Sequence, residues 1–182
     1  MFDFLFGFVE RVKRVLLRFY RLHVFQWYTG QKTDHVTILG PMMLFNKNVR
    51  VGKHVTFYPN VMLWGDGIIQ IGDNVDIGTN TIIYSRRDGG VFIGDETHIA
   101  ADCYIIDSNH GFEKGKLISA QPMTSEKIVI GDDVWIGASC QIIKGAGIGS
   151  GSVIGAGSLV NKKIPEDVIA FGIPAKISKK RI

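Results

Sequence analysis

Five histidines and two cysteines carry the side chains of this 182-residue chain that are best suited to proton transfer or nucleophilic chemistry. His23 falls in an N-terminal helical pattern, and His35 precedes the repeats described below. His54 and His98 occupy repeat positions that can point outward. His110 alone closes a polar motif, Asp107-Ser-Asn-His110-Gly-Phe, directly ahead of a stretch rich in polar and charged residues. An imidazole titrates near neutral pH and can draw a proton from a poor nucleophile such as a hydroxyl. Such a base needs its second ring nitrogen held. Asp107, three residues earlier, is one candidate; a backbone carbonyl or another carboxylate would serve equally. Cys103 and Cys140 show no metal-type spacing, and each stands where a small apolar residue would fit, as buried free thiols do. No His-x4-His pair exists, which argues against a zinc centre built from imidazoles. We therefore expect no metal.

The elements that must hold His110 are legible as a period of six. Aliphatic or aromatic residues head successive hexads at Val51, Phe57 and Leu63, then Ile71, Ile77 and Ile83, then Ile93, Ile99 and Ile105. After an interruption come Ile130, Ile136 and Ile142, then Ile148, Ile154 and Val160. A weaker coil with Leu39 and Phe45 in register is expected ahead of these. Such repetition marks a parallel β-helix, in which three hexads make one triangular coil and each head points inward onto its equivalent in the next coil. Glycine often follows the head, where the chain turns a corner and little side chain fits. Coil starts at 51, 71, 93, 130 and 148 place one long insertion near residues 111–129, immediately after His110. Long loops in a repeat fold are usually functional.

Residues 1–28 read as a helix closed by Thr29-Gly30. Phe8, Val12, Val15, Phe19 and Leu22 form one apolar face, and Arg11, Arg14, Arg18 and Arg21 form a basic stripe. Two readings stay open. The helix docks on the fold or on a neighbouring subunit with its arginines solvated, or it lies in a lipid interface led by Phe2, Phe4, Leu5, Phe6 and Phe8. The expected organisation is a helical segment over 1–32, a β-helix over 33–165 and a C-terminal cap over 166–182. A hydrophobic fraction of 46% with 21% charged residues excludes a disordered chain, and a net charge of +4 is too small to argue for nucleic-acid binding. No secretory signal and no run of about 18 apolar residues is present, so a cytoplasmic protein is expected, with attachment at the inner face of the membrane left open.

The hexads, the Asp107–Phe112 motif, the segment Ile130-Gly-Asp-Asp-Val-Trp-Ile-Gly137 and the ending Phe171-Gly-Ile-Pro-Ala-Lys176 together resemble the hexapeptide-repeat acyltransferases, in particular the maltose/galactoside O-acetyltransferase-like branch that includes enzymes acting on surface polysaccharide. The resemblance covers roughly residues 33–180. It implies a left-handed β-helix, a homotrimer, and acetyl-CoA bound in a groove between subunits as acyl donor to a sugar hydroxyl, with His110 as general base. It further implies that Trp135 borders the pantetheine arm and that Gly137, Ala138 and Ala156 line the donor tunnel. Lys162 and Lys176 match positions that meet the donor's phosphates or adenine end. Tyr84, Ser85 and Asn109 fall near the acceptor, although relatives place an asparagine where Tyr84 and Ser85 stand. Amino-sugar N-acetylation, serine O-acetylation and a non-catalytic scaffold are the rival readings.

Overall fold

The computed structural model describes residues 2–182, and side chains from Phe6 onward. The leading side chains named above, Phe2, Phe4 and Leu5, lie outside the described set. Helix α1 spans Phe2–Thr29. From Val36 the chain winds through six coils, each laying one short strand on each of three parallel sheets. The first sheet begins with Val36–Ile38, the second with Met42–Phe45 and the third with Val49–Val51. The hexad heads stack in three interior columns. Ile38, Phe57, Ile77, Ile99, Ile136 and Ile154 form the column of the first sheet. Leu44, Leu63, Ile83, Ile105, Ile142 and Val160 form that of the second. Val51, Ile71, Ile93, Ile130, Ile148 and Ile164 form that of the third.

The first coil corrects the expected register. Ile38 and Leu44, not Leu39 and Phe45, continue the interior columns, and Leu39 and Phe45 are exposed. Side chains alternate along a strand, so a shift of one residue exchanges inside for outside. Leu39-Gly40 imitates the Ile-Gly pair that heads later hexads, and that likeness misleads.

The left-handed backbone at the turn from the third sheet to the first is carried by His54, Asn74, Glu96 and Asp133, with φ between 51° and 57°. The hexad glycines stand, as expected, where little side chain fits. A Cβ on Gly72 would sit 2.2 Å from Asp95 Oδ1, and one on Gly52 would sit 2.1 Å from Asp73 Oδ1. Those carboxylates accept backbone N–H groups one coil earlier: Lys53 donates to Asp73 and Asp73 to Asp95, each at 2.7 Å, and Asp95 to Asp132 at 2.8 Å. The Ile-Gly-Asp triplet is thus a stacking unit, in which glycine makes room for the aspartate of the next coil.

Helix α1 closes the N-terminal end of the coils. Phe25 is 1% exposed and meets Phe57 with ring centroids 6.0 Å apart. Leu22 packs beside it, and Gln31 hydrogen-bonds the backbone of Val51 through both ends of its amide. Of the expected apolar face only Leu22 docks. Phe8, Val12, Val15 and Phe19 are exposed, whereas Arg18 of the basic stripe turns toward the domain and donates to Thr37 Oγ1 at 2.7 Å. A 28-residue helix is about 42 Å long. From about Leu17 onward it lies over the N-terminal end of the coils, and the earlier turns extend beyond it. At the other end, Val168–Gly172 and Ala175–Lys180 form an antiparallel hairpin that prolongs the first sheet.

Candidate functional site

The residues singled out in the sequence gather at two corners of the prism. His110 lies at the corner between the second and third sheets. The fourth coil leaves the second sheet at Ile106 and returns on the third at Ile128. Between them Ser108–Asn109 pairs antiparallel with Thr124–Ser125, which pinches the insertion shut at its base. His110 follows this ladder at once, so its position is set by the pinch while its ring stays exposed. The loop is filled by Gln121, whose carbonyl accepts the Glu113 N–H at 2.7 Å and whose amide donates to the Glu113 and Lys116 carbonyls. An open cleft of about 730 Å³ results, lined by His110, Phe112, Lys116, Pro122 and Lys144 among others. Lys144 donates to Thr124 Oγ1 at 2.8 Å, which places its charge on the same rim as the imidazole.

Asp107 does not orient His110. Its carboxylate is fully buried and faces the preceding coil. It accepts the Gly90 N–H at 2.7 Å and the Arg86 N–H at 3.0 Å, and Ser85 Oγ lies 2.9 Å away. It therefore clamps the 85–90 turn under the loop that bears His110. Ser85 is likewise fully buried and belongs to this clamp, not to an acceptor surface. Arg86 Nε and Ser108 Oγ are buried without a partner among the described residues. Tyr84 stays half-buried on the outer face of the second sheet, edge-on to Trp64 at 5.4 Å. Asn109 is half-buried in the ladder beside His110.

The second group lies at the corner between the first and second sheets. Trp135 is 57% exposed on the outer face of the first sheet. Beyond it Gly137 begins a turn of small residues. A Cβ on Gly137 would meet the Ala156 backbone at 2.6 Å, so the neighbouring turns lie in direct contact. Gly78, Ala100, Gly137 and Gly155 occupy equivalent places in successive coils, and each donates its N–H to the following coil of the first sheet. Ala138 and Ala156 follow Gly137 and Gly155, so the small side chains leave a shallow furrow along this corner. Lys176 lies opposite Phe171 at the C-terminal end of the furrow. Lys162 does not join this group. It stands on the His110 corner, one coil beyond Lys144, because Ile142 pairs with Val160. The clefts at the two corners share no residue, and the second sheet separates them.

Comparison with known proteins accounts for this architecture. Residues 127–162 match the family model "Bacterial transferase hexapeptide (six repeats)", and residues 68–106 match "Hexapeptide repeat of succinyl-transferase". Both matched segments are hexapeptide repeats of the transferase type, and they lie on either side of the insertion. It is 37% identical over 125 residues, 64% of this chain and 63% of the relative, to the putative lipopolysaccharide biosynthesis O-acetyl transferase WbbJ of Escherichia coli. It spans between 38% and 63% of the length of such curated relatives. Among solved structures, the hexapeptide-repeat acetyltransferase VCA0836 of Vibrio cholerae, complexed with acetyl coenzyme A, is 29% identical with a TM-score of 0.54, covering 80% of this chain and 71% of that one. The N-acyltransferase AntD of Bacillus cereus shares the fold with a TM-score of 0.80 at 21% identity, over 89% of this chain and 88% of that one.

Lys144 and Gln121 escaped sequence reading. Lys144 carries a usable signal, since it directly follows the strand Gln141–Ile143 and so falls on the loop-bearing corner. Gln121 carries none, because nothing local marks which polar residue of an insertion will fold inward.

Proposed function

We propose that this protein transfers an acetyl group from acetyl-CoA to a hydroxyl of a sugar, in the making of a surface glycan, with His110 as general base. The observation that supports this best is the exposed imidazole fixed at the mouth of a closed loop. A sugar hydroxyl is too weakly acidic to attack a thioester unaided. His110 takes its proton as the oxygen adds to the thioester carbonyl. The tetrahedral intermediate collapses, the C–S bond breaks, and the imidazolium returns the proton to the departing CoA sulfur. The furrow beside Trp135, Gly137, Ala138 and Ala156 suits the pantetheine arm, and Lys176 at its far end suits a CoA phosphate. Because the base and the furrow occupy different corners, each site is completed by a neighbouring copy. The second sheet between them carries Phe45, Trp64 and Tyr104 in exposed positions, an apolar face fitted to the centre of a homotrimer. Free-thiol release from acetyl-CoA with a panel of sugar acceptors tests the reaction. His110→Ala should lose at least about 100-fold in turnover. Turnover unchanged by that substitution would refute the role of His110.

The exposed face of α1 supports attachment to an anionic lipid surface, with the active site on the cytoplasmic side. Phe19 is 59% and Trp27 83% exposed, and α1 carries Arg11, Lys13, Arg14, Arg18 and Arg21 against Asp3 and Glu10. No helix among the described residues is long and apolar enough to cross a membrane, so α1 would lie along the surface. Full-length protein should float with anionic liposomes and protein lacking residues 1–28 should not. Equal flotation of the two would end this reading.

A further inference from the structure

The cleft at the furrow's corner contains a pair of titratable side chains that the acyl-transfer chemistry above leaves unused. Asp76, His98 and Trp135 are consecutive rungs of one outward column on the first sheet. His98 Nδ1 lies 3.2 Å from Asp76 Oδ2. The carboxylate can only accept, so Nδ1 carries the hydrogen, and in the neutral imidazole Nε2 is the remaining acceptor. Tyr58 and Trp135, 40% and 57% exposed, line the same cleft, and Thr79 also lines it. Among the described residues no lysine or arginine lines this cleft.

We propose that Asp76, His98, Tyr58 and Trp135 form the subsite for a neutral pyranose unit of the acceptor. Aromatic faces cover the C–H surface of a sugar ring, while a carboxylate, an imidazole nitrogen and hydroxyls take its equatorial hydroxyls. A few placed polar groups in an aromatic wall give orientation and selectivity together. This chain itself brings no paired positive charge to the cleft for the two adjacent phosphates of a nucleotide sugar. The location agrees with the division of the furrow. The donor's phosphates are drawn to Lys176 at the C-terminal end, so the stretch on the N-terminal side of Trp135 is left for the acceptor. This placement rests on the acyl-transfer reading, whereas the class of ligand rests on the cleft alone.

Saturation-transfer NMR on the full chain separates the two. The probes are methyl β-D-galactopyranoside, methyl α-D-glucopyranoside and dTDP, and CoA binding is measured in parallel by calorimetry. At least one glycoside binds the wild type. Asp76→Ala and His98→Ala weaken that binding about tenfold or more, as loss of a charge-assisted hydrogen bond does. CoA affinity and the thermal midpoint stay unchanged, because both side chains are solvent-exposed. Glycoside binding equal in wild type and variants would overturn the proposal. So would a wild type that binds neither glycoside, or dTDP binding that His98→Ala abolishes. Failure of CoA to bind the wild type would instead refute the acyl-transfer reading and leave the saccharide subsite standing on the glycoside data.

Discussion

At the residue scale, a carboxylate three residues from the proposed base His110 turns out to be architectural. Asp107 accepts backbone N–H groups from Arg86 and Gly90 and sits against the Ser85 hydroxyl, all in a fully buried setting. Asp107→Ala would leave these donors without an acceptor. Each such loss costs about 1–3 kcal/mol, so a drop in the denaturation midpoint is expected before any change specific to proton transfer. Chemical denaturation alongside the pH–rate profile checks this. A variant of unchanged stability with a displaced profile would return Asp107 to the base. The hexad glycines are a second residue-scale matter. Gly72→Ala drives a methyl into Asp95 Oδ1 and should destabilise by about 1–3 kcal/mol. Gly147→Ala meets Lys163 Cγ at 3.4 Å and the Val129 carbonyl oxygen at 3.6 Å, both ordinary contacts, and should leave the midpoint within about 0.5 kcal/mol of wild type.

At the element scale, α1 is two objects in one helix. Its last turns belong to the core through Phe25 and Leu22, and its earlier turns present an apolar face to the surroundings. Phe25→Ala should cost about 3–5 kcal/mol, as for other buried aromatic truncations. Trp27→Ala, on the opposite side, should leave stability unchanged and reduce only what α1 touches, and paired melting curves separate the two. The turns between the first and second sheets carry a related lesson. Cys103 and Cys140 are buried in successive coils, with Sγ atoms aimed at the Gly137 and Gly155 carbonyls. The hydrogen bond to Cys140, then burial, push the Cys103 thiol well above the ordinary range. Iodoacetamide should therefore leave Cys103 unmodified in the native protein at pH 7.5 and label it after unfolding, as mass spectrometry would show.

At the scale of the whole molecule, the separation of His110 from Trp135 makes a prediction that a single-chain site would not. If each site takes its base from one subunit and its furrow from the next, His110→Ala and Trp135→Ala subunits can complement each other. Random assembly of equal amounts into trimers restores both intact halves at about a quarter of the sites. Unfolding and refolding the two inactive variants together should recover about that fraction of wild-type turnover. No recovery, in mixtures shown to contain mixed trimers, would place both residues in one subunit's site.

The β-helix, its interior heads and the place of the insertion were determined by the sequence itself. They follow from local periodicity: every coil repeats the same alternation, and stacking like on like buries it. The motif around His110 is equally local, because six consecutive residues hold it. Three things were decided only by tertiary structure. The register of the first coil turned on Ile38 rather than Leu39, which depends on the pairing partner at Phe57. The docked face of α1 depends on how far the coils extend beneath the helix. The allegiance of Asp107 to the preceding turn rather than to His110 depends on contacts some twenty residues away in the chain, made adjacent by one rise of the coil. A solenoid converts a sequence separation of one coil into direct contact, so the partners that fix a side chain's role lie one coil away and outside any local motif.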